Sequence, residues 1–223
     1  MPLPAPPRSE AQLLARAEGL AGITLGELAG TLGTRLPADL RGHKGVVGEL
    51  LERALGAVAG SRPVPDFETL GIELKTVPLG PDERPRESTH VCTVAFGELL
   101  GQRWADSTVR RKLARVLWVP IEAAPTVPLA ARRIGAARLW SPTPDEERVL
   151  AADWEEHMEL IATGRCDEID GRLGTYLQVR PKAANRDALV GASDAEGRPA
   201  PTLPRGFYLR AAFTARILGG QIA

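Results

Sequence analysis

The sequence is poor in cysteine, has no long apolar run, and carries no excess of charge of either sign. Its two cysteines, Cys92 and Cys166, cannot build a disulfide framework, and their spacing fits no zinc site. No apolar run approaches the ~20 residues of a membrane-spanning helix, which excludes an expected bilayer span. The opening residues, MPLPAPPRSE, are proline-rich and lack the apolar centre of a secretory signal, so secretion is not expected. Together these absences predict a cytoplasmic protein. The 28 basic residues balance the 28 acidic ones, and a net charge of zero, taken alone, argues mildly against a nucleic-acid partner.

What is present changes that reading. The charges are segregated. Between Gly101 and Pro120 stand five basic residues, Arg103, Arg110, Arg111, Lys112 and Arg115, against the single acid Asp106. From Gly171 onward there are eight Arg and Lys against three acids, whereas Asp145 to Asp170 holds ten acids and two arginines. A neutral total thus conceals basic stretches and an acidic helix, which is either a binding face or scattered solvated charge. The 43% hydrophobic and 25% charged fractions are those of a soluble globular chain. Its 223 residues suffice for one large domain or two closely packed lobes.

Helices are expected first. Ser9–Gln12 and Thr24–Glu27 have capping-box spacing ahead of apolar-periodic stretches, which predicts helices near 9–19 and 24–33. A third helix is predicted over 45–59, with an apolar stripe through Val47, Leu50, Leu51, Ala54 and Val58. Strands are expected at GIELKTV, HVCTVAF, ARVLWVPIEA, RIGAARLW and TYLQVRP, with a short helix at 108–113 and a long acidic one at 144–164. The last element, FYLRAAFTARIL, reads as a helix with apolar and basic faces. Leading helices followed by interleaved strands and helices predict a mixed α/β fold with a mixed central sheet.

The chemically informative stretch is Pro65-Asp66, six residues, then Glu73-Leu74-Lys75. Alternate side chains of a strand share a face, so Glu73 and Lys75 point the same way while Ile72 and Leu74 enter the core. Asp66 would approach from the preceding turn. Two carboxylates and a lysine meet the needs of phosphodiester hydrolysis. Hard oxygen ligands hold a divalent cation such as Mg²⁺, with the main-chain carbonyl of Leu74 as a further ligand. The lysine orients or deprotonates the attacking water, or stabilises the anionic transition state. The spacing alone is common, and an ExK strand is often a solvated face. Two features weigh against that here: the strand is otherwise apolar, and Glu52 lies on the helix immediately upstream. By pattern alone Glu52 sits at the edge of the apolar stripe beside Arg53, and Lys112 is one charge in a basic run.

The segments TLGELAG, HKGVVGELLE, GSRP, DFETLGIELKT, RRKLARVLWVP, RRIGAARLWSP, YLQVRPKAAN and TLPRGFYLR follow one another in order. Over nearly the whole chain the sequence resembles the MutH family of methyl-directed mismatch-repair endonucleases, within the PD-(D/E)xK superfamily. The resemblance implies a single restriction endonuclease-like domain over 1–223, a mixed sheet flanked by helices with N- and C-terminal sub-lobes as two arms around a DNA cleft. It implies Asp66 and Glu73 as metal ligands, Lys75 as the catalytic lysine, and Glu52 and Lys112 as additional active-site groups. It implies a Mg²⁺-dependent monomer that nicks the unmethylated strand at hemimethylated GATC in double-stranded DNA, with MutL as activator and MutS acting indirectly.

DNA contacts are implied for Lys44 and Gly45, and for Arg180 and Pro181, with Arg suited to bidentate reading of guanine. Tyr208 falls on the family's methyl-sensing tyrosine, although beside Phe207 it also reads as a half-buried core aromatic. Lys182 and Arg210 are expected at phosphates. The sequence departs from the family pattern at His90, in place of phenylalanine, at Thr108 and Arg111, in place of histidines, and at Ala114, in place of a basic residue. Two alternatives remain at this stage, a methylation-independent GATC restriction-type endonuclease and a non-catalytic DNA-binding module.

Overall fold

The computed structural model describes residues 4–43, 45–60, 62–96, 101–182, 189–192, 198 and 200–219. Its strands are β1 (Glu73–Leu79), β2 (Thr89–Thr93), β3 (Val116–Glu122), β4 (Arg138–Trp140), β5 (Leu177–Pro181) and β6 (Arg205–Leu209). Its helices are α1 (Glu10–Glu18), α2 (Leu25–Thr31), α3 (Val46–Leu55), α4 (Thr108–Leu113), α5 (Pro144–Ala162) and α6 (Ala211–Ile217). The chain divides into two compact units: Met1–Glu87 with Ala114–Ser141 and Ala215–Ala223, and Ser88–Leu113 with Pro142–Thr214. The mixed α/β class read from the sequence holds, with two three-stranded sheets, ordered β1-β3-β4 and β2-β6-β5. Among the described residues no helix is long and apolar enough to cross a membrane.

In the first unit, capping chemistry starts the helices where the sequence places them. The Thr24 hydroxyl accepts from the Glu27 amide and the Glu27 carboxylate accepts from the Thr24 amide, a complete capping box. At α1 only half of the box forms: Ser9 accepts from the Gln12 amide, while Gln12 Oε1 accepts from the amide of Arg8. Helix α3 is shorter than the periodicity predicts. It stops at Leu55 because Gly56 adopts φ 85°, and a Cβ there would lie 2.8 Å from the Ala5 carbonyl oxygen. Val58 therefore lies beyond the helix and is exposed, and Leu55 joins Leu50 and Leu51 in its buried face.

Those leucines pack with Leu13 of α1, Leu25 and Leu28 of α2, Ile72 and Leu74 around β1, and Leu117, Val119 and Ile121 of β3. Strand β1 runs parallel to β3, pairing Glu73 with Val116 and Lys75 with Trp118, and β4 runs antiparallel to β3. This is the mixed sheet expected from the sequence. Residues Val116 to Val119 are all buried, as suits a central strand covered on both faces. The predicted strand RIGAARLW forms only at its end, as β4. Upstream, Ile134 makes one isolated bridge to Ile121, and Gly135 lies so close to Pro120 that a Cβ would be 3.1 Å from that ring.

In the second unit β6 is the centre of an antiparallel sheet, with Tyr208 opposite His90 on β2 and Gln178 on β5. Here the sequence expectation fails. FYLRAAFTARIL is not one helix: Phe207, Tyr208 and Leu209 belong to β6, and the helix begins at Ala211. No glycine or proline marks the junction, and three strand residues are too few to show a period of two. Phe207 and Leu209 are buried on one face while Tyr208 emerges on the other. The acidic helix α5 forms as expected, with Thr143 and Glu146 closing a capping box and Pro144 at its first position.

Candidate active site

The turn before β1 folds back on itself. Phe67 N–H donates to the Ile72 carbonyl at 2.9 Å, a 3-10 turn over Glu68–Leu70 lies between them, and Ile72 N–H returns to Phe67 O at 3.3 Å. This closed loop carries Asp66 alongside the strand, where its Oδ2 accepts from the Leu74 amide at 2.7 Å. On the strand, Lys75 Nζ donates to Glu73 Oε1 at 2.7 Å. Asp66 and Glu73 are buried, at 8% and 2% exposure. The structure thus pairs Glu73 with Lys75 as the two-residue period predicts and brings Asp66 to the same strand from the preceding turn, with Ile72 and Leu74 in the core.

Glu52 joins them. It is half-buried on α3 and its carboxyl is held above the usual glutamate range, first by burial, then by the negative charges of Asp66, Glu49 and Glu73, against the opposing pull of Lys75. The edge-of-stripe alternative for Glu52 misses this field, which comes in part from Asp66 and Glu73, distant in sequence. At Glu52 the fields of three carboxylates outweigh that of one ammonium, so its surroundings carry the excess negative charge that favours a bound cation. Among the described residues no three His, Cys, Asp or Glu side chains converge as a metal cage. A cation here would take carboxylate oxygens from Asp66 and Glu73 and complete its shell with main-chain and water oxygens, which is the habit of Mg²⁺.

The remaining sequence-predicted residues fall as follows. Lys44 lies outside the described residues. Gly45 is the N-cap of α3, which has no side-chain cap. Lys112 is half-buried in the last turn of α4. Arg180 and Pro181 form the exposed end of β5. The Arg180 guanidinium carbon lies 5.9 Å from the centre of the Tyr208 ring, and His90 meets that ring edge-on at 5.1 Å. Lys182 is exposed, with Nζ 3.1 Å from Thr93 Oγ1. Arg210, expected at a phosphate, meets a different environment. Its Nε donates to Gly174 O at 2.9 Å, and its Nη2 donates to Gly171 O at 3.0 Å and Leu173 O at 2.8 Å.

Several buried polar residues escaped the sequence reading, Asp153 and His157 among them. Asp153, on α5, is 5% exposed and accepts from three successive amides, Thr175 at 2.7 Å, Tyr176 at 2.6 Å and Leu177 at 2.8 Å. His157, one turn along, is fully buried with Nε2 3.3 Å from Leu177 O. Burial holds its pKa below the usual histidine value. In a helix with ten acids in its neighbourhood, nothing in the sequence separates Asp153 from its solvated fellows.

A turn and strand that together carry D-x₆-E-x-K, with a further carboxylate supplied by the preceding helix, define a mixed α/β protein of the PD-(D/E)xK class. The family described as "DNA mismatch repair enzyme MutH" matches residues 55–153. The DNA mismatch repair protein MutH of Klebsiella pneumoniae (strain 342) is 54% identical over 217 residues, covering 97% of this chain and 94% of the relative. That of Yersinia enterocolitica is 54% identical over 96% of this chain and 94% of its own length. That of Vibrio cholerae is 52% identical over 95% and 96% respectively. The chain belongs to the MutH family of DNA mismatch-repair enzymes.

Proposed function

We propose that the protein is a Mg²⁺-dependent endonuclease that nicks the unmethylated strand of double-stranded DNA at hemimethylated GATC sites during mismatch repair. The observation that carries this reading is the part-buried Glu73–Lys75 pair, 2.7 Å apart, on the strand whose Leu74 amide is bonded to Asp66. Burial of the two carboxylates Asp66 and Glu73 beside one ammonium is costly unless the site performs chemistry or binds a counter-ion.

Asp66 and Glu73, with the Leu74 carbonyl, would hold Mg²⁺. When bound, the ion lowers the pKa of water and neutralises charge developing on the phosphoryl oxygens. The protein's own groups do the rest. Glu73 holds the Lys75 ammonium in place, and Lys75 presents its remaining protons to the attacking water or to the phosphoryl oxygens. Glu52, its carboxyl held above the usual range, is placed to take up a proton from water near the site. Lys112 is a further cationic group for the phosphate. Lys44, Gly45, Arg180, Pro181 and Lys182 contact DNA, and Tyr208 senses the adenine methyl group. The protein acts in the cytoplasm as a monomer, since nicking one strand needs one active site, and MutL, following MutS, activates it.

The test is incubation of a closed circular duplex bearing one GATC with Mg²⁺, with and without a MutL protein, beside the Glu73→Ala variant. The expected product is an open circle, absent with the variant or with chelator. Direct formation of linear DNA would replace this reading by a restriction-type endonuclease. Specific binding with no cutting under any of these conditions would replace it by a DNA-binding module.

A further inference from the structure

Strand β5 presents Arg180 beside Tyr208 only in one register. Side chains alternate faces along a strand, so a slip of one residue would turn Arg180 to the opposite face and bring its neighbours to Tyr208. The observed pairing sets Arg180 opposite Gly206 and Gln178 opposite Tyr208. Where β5 leaves the preceding turn, an unusual set of polar contacts concentrates. The Asp153 carboxylate takes all three amides from Thr175 to Leu177. The Arg210 guanidinium takes the carbonyls of Gly171, Leu173 and Gly174, and its own amide donates to Tyr176 O at 2.8 Å. The carboxylate holds the amide donors of residues 175–177, and the guanidinium holds carbonyl acceptors between residues 171 and 174. Between them Gly174 sits at φ 80°, with room for no side chain: a Cβ would lie 2.0 Å from Leu177 O.

We propose that Asp153 and Arg210 are positioning residues for sequence reading, which together pin the register of β5 and so hold Arg180 against Tyr208. The inference rests on the reading of β5 as a DNA-contacting strand given under Proposed function. It assigns to Arg210 a place within the protein instead of at a phosphate, and it gives a function to a buried carboxylate remote in sequence from the D-x₆-E-x-K motif. Arg210 suits the task because its planar fork reaches several carbonyls at once, which the single ammonium of lysine cannot do.

The experiment compares the wild-type protein with Arg210→Ala, Arg210→Lys and Asp153→Asn. It measures kcat and KM for nicking at GATC, the ratio of kcat/KM between GATC and a site altered at one base pair, and the salt dependence of DNA binding. All three variants are expected to raise KM and lower the site preference by roughly tenfold, the scale of one lost base contact. Their kcat stays within about twofold of wild type, because Asp66, Glu73 and Lys75 are untouched. The salt slope stays unchanged, whereas loss of a phosphate contact would lower it by about one.

Arg210→Lys is decisive, since a phosphate contact tolerates lysine and the carbonyl clamp does not. Should Asp153→Asn fail to fold, the arginine variants carry the test, because Arg210 lies partly at the surface. A lower salt slope with site preference intact would overturn the inference, as would kcat falling in step with KM, or Arg210→Lys behaving as wild type. A wild-type protein that neither cuts nor prefers GATC overturns the functional reading and this inference with it. Intact wild-type preference with unchanged variants overturns the inference alone.

Discussion

Replacement of Lys75 by alanine separates the structural from the chemical contribution of the site. The Lys75 and Glu73 side chains are 14% and 2% exposed and 2.7 Å apart. Removing one partner of a buried pair costs about 3–5 kcal/mol, because the other charge is left stranded. The residual exposure of Lys75 admits some water, so about 2–3 kcal/mol is expected for Lys75→Ala. A domain of ordinary stability, about 5–15 kcal/mol, survives that loss, so the variant folds and binds DNA. Cutting should fall about a hundredfold or more, as when one group that stabilises transition-state charge is removed.

The origin of the penalty can be tested. In the double variant with Glu73→Gln the carboxylate that Lys75 paired is gone as well, so the two substitutions should show a coupling of about 1–3 kcal/mol. Added Mg²⁺ should stabilise Lys75→Ala more than the wild type, with about 2.7 kcal/mol available at a hundred times Kd. Urea denaturation followed by tryptophan fluorescence, with chelator and then with Mg²⁺, measures each quantity. A Lys75→Ala variant within about 0.5 kcal/mol of wild type and uncoupled to Glu73→Gln would refute the paired-charge argument. Cutting at the wild-type rate would refute the role of the lysine.

Two further substitutions probe the second unit. Gly174→Ala places a Cβ 2.0 Å from Leu177 O at φ 80°, so thermal denaturation should show a loss of more than about 2 kcal/mol. His157 gives a pH signature. Burial first, with the charge of Arg210 adding to it, holds its folded pKa below the usual histidine value, against the pull of Leu177 O, Asp153 and Glu156. As pH falls through the ordinary histidine range, the unfolded chain binds the proton before the folded one does. Stability therefore decreases from there down to the lower folded value, and is level above. His157→Phe should flatten that slope in denaturation midpoints measured across the range, and an unchanged slope would show that the proton is taken up elsewhere.

The D-x₆-E-x-K site was legible because a strand's period of two is local: it fixes Glu73 beside Lys75 whatever the rest of the chain does. Glu52 was not legible from pattern, since its neighbours Asp66 and Glu73 reach it only through the packing of α3 on β1. Tyr208 was placed in a helix because three residues of a central strand run into α6 without punctuation. Its partners, His90 and Gln178, lie far off in sequence. Asp153 and Arg210 show the same limit. Each looks like one charge among many, and each is distinguished only by main-chain groups that the fold delivers. The resemblance carried Arg180, Pro181 and Lys182 as contacts with DNA, but it carried nothing about what holds their strand.

The central claim is tested most directly by a linear duplex with one GATC, methylated on one strand, each strand labelled separately and incubated with Mg²⁺ and a MutL protein. The account predicts a single break in the unmethylated strand, none in the methylated one, and none in either with Glu73→Ala. Breaks in both strands irrespective of methylation, or undiminished cutting by Glu73→Ala, would contradict it.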